Sequence, residues 1–151
     1  MYRLPERLVV DNVTMIDMQP VPFGAVFYEF MNSHERESLF YYWADELSDD
    51  YCGGSRAGHG YVCNARWEGR RLSNNSFYVV PMGSPLHRVS VAGNGYEGTM
   101  TAEAFGITLS LFALGQIANT TEDDSDILLY HALRDYALDH SESVEIMAAI
   151  D

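Results

Sequence analysis

The stretch VSVAGNGYEGTMTAEAFGITLSLFALGQIA, residues 89–118, decides how this chain folds. Asn94-Gly95 lies between β-branched and aromatic residues, and an Asn-Gly pair in that setting is the strongest short-range signal of a β-hairpin. The return strand is expected over Tyr96 to Met100. Thr101 is then a suitable cap for a helix, with Glu103 in its positive first turn. Because this helix has almost no polar face, we predict that it is central and buried.

The same stretch contains a glycine pattern that resembles a nucleotide site. Gly93 to Gly98 matches G-x-G-x-x-G, which in dinucleotide-binding proteins holds a pyrophosphate at a helix N-terminus. That site requires a second parallel strand after the helix, whereas here an acidic segment and another helix follow. Glu97 would also stand beside the phosphates. The pattern therefore indicates a turn, and we expect no cofactor.

Upstream of this stretch the sequence predicts an extended segment and one helix. Pro20 and Pro22 exclude a helix interior between Met15 and Gly24. A helix is expected to start at Asn32 or Ser33 and to end in the segment 48–55. Its apolar face is formed by Leu39, Trp43 and Leu47.

Residues 61–91 are typical of strands. The runs YVCNARW, SFYVVP and LHRVSV are rich in β-branched and aromatic residues and are separated by Gly, Asn, Ser and Pro. Beyond the central helix, residues 119–126 form an acidic, turn-rich loop in this interpretation. A final amphipathic helix and a short helix from Ser141 to Ile150 follow; the former carries Leu129, Leu133, Tyr136 and Ala137 at helical spacing. The fold class is α+β, a single domain in which a small antiparallel sheet of hairpins packs with several helices.

The charge of the chain restricts its function. Among 151 residues there are 22 acids and nine arginines, with no lysine, so the formal net charge is −13. Without lysine, mechanisms that need a P-loop or Schiff-base lysine are excluded. A polyanion repels DNA and anionic membranes, so we expect no direct binding to nucleic acid or membrane. A protein partner with a basic face is compatible with this charge.

Metal and nucleophilic sites receive little support. Cys52, His59, Cys63 and His87 could be imagined around zinc, but C-x6-H-x3-C is not a standard spacing and no second compact pair accompanies it. The same residues would need an activating environment to serve a nucleophilic enzyme. We therefore predict neither a metal site nor catalytic residues. The two cysteines form no disulfide framework, and no secretory leader or membrane span is found, which favours a cytoplasmic location.

The acidic C-terminal third, residues 101–151, has two interpretations. It is either a solvated surface that maintains solubility or a negative face for a basic protein. In the second case the candidate contact residues are Glu122, Asp123, Asp124, Asp126, Arg134, Asp135 and Asp139. Arg134 is the only base of this third, so it is either a structural ion-pair partner or a specific contact.

Four segments of the chain resemble the ArdB/KlcA antirestriction family. They are ESLFYYWADELSDDYCGG, LSNNSFYVVP, the stretch 89–118 quoted above and YHALRDYALDHSESVEIMAAID, and they occur in the order of that family from about Glu37 onward. The resemblance implies a small α+β protein of the bacterial cytoplasm, encoded on plasmids or other mobile elements. Such proteins protect incoming DNA from type I restriction enzymes, and no catalytic residues are assigned to the family.

The sequence departs from the family pattern at two places. SRAGHGYVCNAR, Ser55 to Arg66, is inserted after Gly54, and Asn75-Ser76 stands where two glycines are usual. We therefore expect a single antirestriction domain over residues 1–151, with a loop insertion near residues 55–66.

The functional hypothesis is a non-enzymatic inhibitor of type I restriction-modification systems that acts by protein–protein interaction. Its partner would be a type I restriction enzyme or an associated DNA-processing factor. One alternative is an acidic DNA mimic, whose carboxylates would imitate the spacing of phosphates. Another is a small hydrolase or metal enzyme that uses the Cys and His residues named above.

Overall fold

The computed structural model describes residues 15–51, 66–91 and 93–151. The chain begins with β1 (Met18–Pro22), α1 (Phe23–Val26), a π-helical turn (Phe27–Met31) and α2 (His34–Tyr51). Four strands follow, β2 (Arg66–Leu72), β3 (Ser76–Met82), β4 (Leu86–Val91) and β5 (Tyr96–Thr101). The last elements are α3 (Ala102–Thr121), α4 (Asp124–Leu138) and α5 (Ser143–Ile150). The predicted α+β class is confirmed.

The strands form two antiparallel sheets, one with the order β1-β2-β3 and one made of β4 and β5. In the first sheet Gly69 pairs with Val21 on one side and Val79 on the other. A Cβ atom at Gly69 would lie 2.8 Å from Cγ1 of Val26, so the glycine lets α1 pack directly on the sheet.

The position of β2 differs from the prediction. The strand runs from Arg66 to Leu72, whereas the sequence predicted one that ended at Trp67. Local propensity disfavours EGRRL as a strand, but tertiary contacts stabilise it: β2 pairs with β1 and β3, and Nε of Arg71 donates to Glu29 at 2.8 Å. Within the strand, Nε of Arg70 donates to Glu68 at 2.7 Å. Residues 61–65 of the predicted strand, and nearly all of the predicted insertion, lie outside the described residues.

The central helix α3 is confirmed as buried. Thr101 Oγ1 accepts a hydrogen bond from the N–H of Ala104, as expected for its cap. The helix lies against the edge of β3, where Ser110 Oγ accepts from the N–H of Val79 at 3.1 Å. A Cβ atom at Gly106 would overlap the carbonyl oxygen of Val79 and lie 3.0 Å from Cα of Val80. The glycine therefore permits helix and strand backbones to approach closely, and α3 covers the edge of the sheet.

The β4–β5 hairpin is also confirmed. Val91 pairs with Tyr96, and Gly95 has a φ of +77°, in the left-handed region that favours glycine. The N–H of Gly95 donates to the carbonyl of Val91 at 2.9 Å, and Oδ1 of Asn94 accepts from the N–H of Tyr96 at 3.0 Å.

The helices of the sequence prediction are present with altered boundaries. Ser33 Oγ accepts from the N–H of Arg36 at 3.3 Å, which confirms the predicted start of α2. The π-helical turn before it was not predicted. The acidic loop predicted for residues 119–126 is wrong in length, because α3 continues to Thr121 and α4 begins at Asp124. A side-chain cap shortens it: Oδ1 of Asp123 accepts from the N–H of Ser125 at 2.8 Å, so α4 begins directly after this residue. Within the described ranges, no helix has the length and apolar character needed to span a membrane.

Candidate functional site

Several acids of the C-terminal third form hydrogen bonds or ion pairs within the protein. Asp126 is only 4% exposed. Its Oδ2 accepts from Nε of Arg36 at 2.9 Å and from Oγ1 of Thr121 at 2.6 Å. Asp126 therefore joins α2 to α4 and does not belong to the exposed face predicted for partner contact. A buried carboxylate needs such a partner, because an unpaired charge in the interior is strongly unfavourable.

Asp123 lies at the same corner. Its Oδ2 is 3.4 Å from Nη2 of Arg36, and its Oδ1 accepts from the N–H of Ser125 at 2.8 Å, which caps α4. Hydrogen bonds from the side chain and backbone of Ser125 lower the pKa of Asp123. The residue is exposed, so both the capping role and an additional partner contact are sterically compatible.

A second group of polar side chains surrounds Glu103 at the start of α3. Tyr78 Oη donates to Oε2 at 2.6 Å, Nη1 of Arg70 lies 3.6 Å from the same oxygen, and Nε2 of His140 lies 3.3 Å from Oε1. The hydrogen bond to His140 is the largest cause that lowers the pKa of Glu103 to about 2. Glu103 is therefore an ionised anchor for three different elements.

The Glu103 group contains residue types that are common in catalytic sites. Tyr78 is fully buried, and this burial together with its bond to Glu103 raises the pKa of the phenol far above its usual range. The phenol is therefore a neutral donor. The N–H of Glu142 donates to Nδ1 of His140 at 3.0 Å, which leaves the proton of the neutral ring on Nε2, facing Glu103. The contacts orient the helices and hold no exposed nucleophile.

The glycine turn holds the C-terminal helix α5. Nδ2 of Asn94 donates to the carbonyl of Ala149 at 2.9 Å, and Tyr96 Oη donates to Glu145. To reach Glu145 the ring of Tyr96 crosses Gly98, where a Cβ atom would lie 2.8 Å from Cζ of the ring. In the G-x-G-x-x-G pattern, Gly95 thus serves the turn, and Gly98 leaves room for the ring of Tyr96.

The remaining acids of the C-terminal third are exposed, apart from the partly buried Glu142, whose carboxylate accepts from Thr101. The exposed ones are Glu122, Asp124, Asp135, Asp139 and Asp151. On α4, the helical period places the exposed residues on the side opposite the buried Leu129, Leu133 and Ala137. We call this side the α4 outer face; it consists of Asp124, Leu128, His131, Asp135, Leu138 and Asp139.

Two leucines of the α4 outer face were missed by sequence reasoning. Leu128 is 67% exposed and Leu138 is 45% exposed. The 3.6-residue period, continued from Leu129 and Leu133, could have identified them. Arg134 is partly buried beside this face, and its side chain makes no hydrogen bond or ion pair with any residue that the structure describes. Of its two alternative roles, the structural ion pair therefore has no partner in the described ranges, and the specific contact stays a prediction.

Of the four residues considered as zinc ligands, the structure describes only His87. His87 is buried, its ring stacks on Phe105 with centroids 5.0 Å apart, and burial lowers its pKa. Cys52, His59 and Cys63 lie outside the described residues. The described part of the chain contains no group of three or more His, Cys, Asp or Glu residues suited to a metal ion. The absence of zinc stays a prediction, which elemental analysis of protein purified without a histidine tag would check.

Comparison with known proteins identifies the family. The model of the antirestriction protein family matches residues 60–151, which is more than half of the chain. This chain belongs to the antirestriction family. Antirestriction protein KlcA of Escherichia coli is 32% identical over 156 aligned residues, which cover 99% of this chain and 97% of that protein. A second KlcA of Escherichia coli is 38% identical over 119 residues, 76% of each chain.

The antirestriction fold is also shared with solved structures. A structure from work on KlcA and ArdB aligns with a TM-score of 0.66 and 31% identity, and covers 89% of this chain and 95% of that chain. Those two proteins are described as having a novel fold and antirestriction activity against type I DNA restriction systems in vivo but not in vitro. The resemblance to the ArdB/KlcA family is therefore confirmed.

Proposed function

We propose that this protein inhibits type I restriction-modification systems and so protects plasmid or mobile-element DNA that enters a bacterial cell. The observation that carries this proposal is the similarity to KlcA along nearly the whole chain, at 32% identity. The structural relatives act against type I systems in vivo. The protein would act in the cytoplasm, where restriction enzymes meet incoming DNA.

The inhibition is proposed to be non-catalytic. The group around Glu103 has the residue types of an active site, but its members connect β2, β3, α3 and the end of α4. Tyr78 is fully buried and cannot reach a substrate. Binding to a partner therefore explains inhibition better than chemistry does.

The contact surface is proposed to include the α4 outer face with its neighbours Glu122, Asp123 and Arg134. These side chains are exposed or partly exposed, and the acids among them give the face a negative charge. Such a face attracts a protein with a basic surface. Activity of the relatives in vivo but not in vitro favours a target that requires a cellular component, such as a DNA-processing factor associated with the restriction enzyme.

The charge distribution argues against the DNA-mimic alternative. A mimic needs a long row of exposed carboxylates at DNA-like charge spacing. In the C-terminal third, Glu103, Asp126, Glu142 and Glu145 are instead bonded within the protein. The exposed acids are interrupted on α4 by Leu128 and His131.

The experiment uses cells that carry a type I system and receive unmodified phage or plasmid DNA. Expression of the protein should raise the efficiency of plating or transformation toward that of a strain lacking the restriction enzyme. A strain that carries a type II system serves as the control for general effects on uptake. Equal restriction with and without the protein would overturn the proposal.

A further inference from the structure

A groove of about 360 Å³ lies between α3 and α4. Gly115 and Ala118 line it from α3, Ile127, Tyr130 and His131 line it from α4, and Glu122 lies at the connection of the two helices. None of these residues contributes to the Glu103 group.

The groove is shaped by the contact between Gly115 and Tyr130. A Cβ atom at Gly115 would lie 3.3 Å from Cε1 of Tyr130, so the ring lies close along the backbone of α3. Because the glycine has no side chain, space remains between the two helices beside the aromatic ring.

The charge at this end of α3 is negative and unpaired. The C-terminus of a helix carries a partial negative charge, and the last turn of this 20-residue helix contains no basic residue. The Glu122 carboxylate adds a full charge at the same place. Among the described residues it has no hydrogen-bond or ion-pair partner, in contrast to its neighbours Asp123 and Asp126.

The backbone conformation at Glu122 favours glycine at this position. Its φ is 55°, the left-handed conformation that commonly ends a helix and is usually occupied by glycine. The protein is therefore less stable with glutamate at position 122 than it would be with glycine. The Glu122 carboxylate gives the groove its charge.

We propose that this groove binds an arginine side chain from a basic segment of the protein partner. The guanidinium would lie against the Tyr130 ring and donate to the Glu122 carboxylate, which combines a cation–π contact with a charge-assisted hydrogen bond. This inference rests on the proposed function, because it assumes a protein target. A second copy of the chain is a poor occupant, since each copy carries a net charge of −13.

The direct test uses the full-length protein, isotopically labelled for NMR, and two small probes. N-acetyl-arginine amide should shift the resonances of Gly115 and Tyr130, whereas the uncharged isostere N-acetyl-citrulline amide should not. Glu122→Gln should weaken arginine binding about fivefold to tenfold. Asp45→Asn, which removes the same charge from an exposed position of α2, should leave it unchanged. Equal shifts with both probes, no shifts, or binding unaffected by Glu122→Gln would overturn the inference.

A second test separates the groove from the proposed function. Glu122→Gly should raise the Tm by about 2 °C, because glycine suits the left-handed conformation, and should reduce protection in the restriction assay. Full protection by this variant, in cells where the wild type protects, would contradict the groove and leave the antirestriction function intact. No protection by the wild type would contradict the function, while the NMR titration would still decide whether the groove binds arginine.

Discussion

At the scale of single residues, glycines fulfil distinct steric requirements in the stretch that decides the fold. Gly95 provides a positive φ, Gly98 makes room for the ring of Tyr96, and Gly106 lets α3 approach β3. Only the first requirement can be recognised from local sequence, through the Asn-Gly pair. The other two depend on residues that become neighbours only in the folded protein.

Gly106→Ala should destabilise the protein by about 2 kcal/mol, because the added methyl group overlaps the backbone of β3 and one of the two elements must move. The free energy of unfolding, measured with urea, checks this. Gly24→Ala is a matched control, since Gly24 is also helical and a Cβ atom there has no neighbour within 4 Å. An unchanged stability of Gly106→Ala would show that α3 and β3 can separate at no cost.

Glu103 should make stability depend on pH in a defined interval. Its pKa is about 2 in the folded protein against an ordinary value of 4.5, so the ionised form is favoured by folding. The contribution is complete above pH 4.5 and is lost as the pH falls toward 2. We expect Glu103→Gln to cost about 1 kcal/mol at pH 6, a value reduced for solvent screening because the side chain is one-third exposed.

Urea unfolding of the wild type and Glu103→Gln at pH 6, 3.5 and 2.5 measures this contribution. The difference between the two proteins should shrink at the lower pH values. Glu97→Gln, which removes an exposed acid of β5, serves as the control. A constant difference between wild type and Glu103→Gln at all three pH values would mean that the carboxylate is not preferentially ionised in the folded state.

Asp135 and Arg134 provide the test of the α4 outer face. Exposed or partly exposed charges without strong internal partners contribute about 0–1 kcal/mol to stability, so Asp135→Ala and Arg134→Ala should leave the Tm nearly unchanged. A residue central to an interface can contribute about 2 kcal/mol of affinity, roughly thirtyfold. Protection in the restriction assay should therefore fall in one or both variants. Full protection by both variants would show that the contact surface lies elsewhere. Unfolding of both variants would show that the two residues have a structural role.

At the scale of elements, the sequence predicted those whose signals are local. The hairpin, the cap of α3 by Thr101 and the apolar face of α4 follow from turn chemistry and helical periodicity. The strand β2 was misplaced because Gly69 and the paired Arg70 and Arg71 are unfavourable until β1 and β3 flank them. The π-helical turn likewise has no local signal, since Phe27 and Phe30 are held there by contacts with Phe77.

The attachment of α5 to the hairpin is an element-scale property that can be measured. Tyr96→Phe removes the hydroxyl that donates to Glu145 and should cost about 1 kcal/mol. Amide protons of α5 should then exchange faster in hydrogen-exchange experiments, while those of the buried α3 stay protected. Tyr28→Phe, at an exposed tyrosine, should change neither helix. Unchanged exchange in α5 of Tyr96→Phe would show that the Tyr96 hydroxyl is not needed to hold this helix.

At the scale of the whole molecule, charge and function were predictable to different degrees. The net charge was compatible with a protein partner, and the resemblance alone indicated an antirestriction protein, whose family assignment is confirmed. The acids could not be sorted into internal and exposed ones from the sequence. Asp126 and Asp135 both lie on the last amphipathic helix, but only Asp126 is in reach of Arg36, which is 90 residues away in the chain. That distinction depends on the packing of both α2 and α4 against α3.

The two edges of the three-stranded sheet have a further consequence for behaviour at high concentration. On one side α3 covers β3, and on the other side β1 carries Pro20 and Pro22, which have no N–H to offer. A strand from another molecule would find few backbone donors at either edge. Resistance of this sheet to edge-to-edge pairing thus comes from its backbone and does not require charge repulsion. It should persist even near pH 4.5, the isoelectric point, where electrostatic protection is lost.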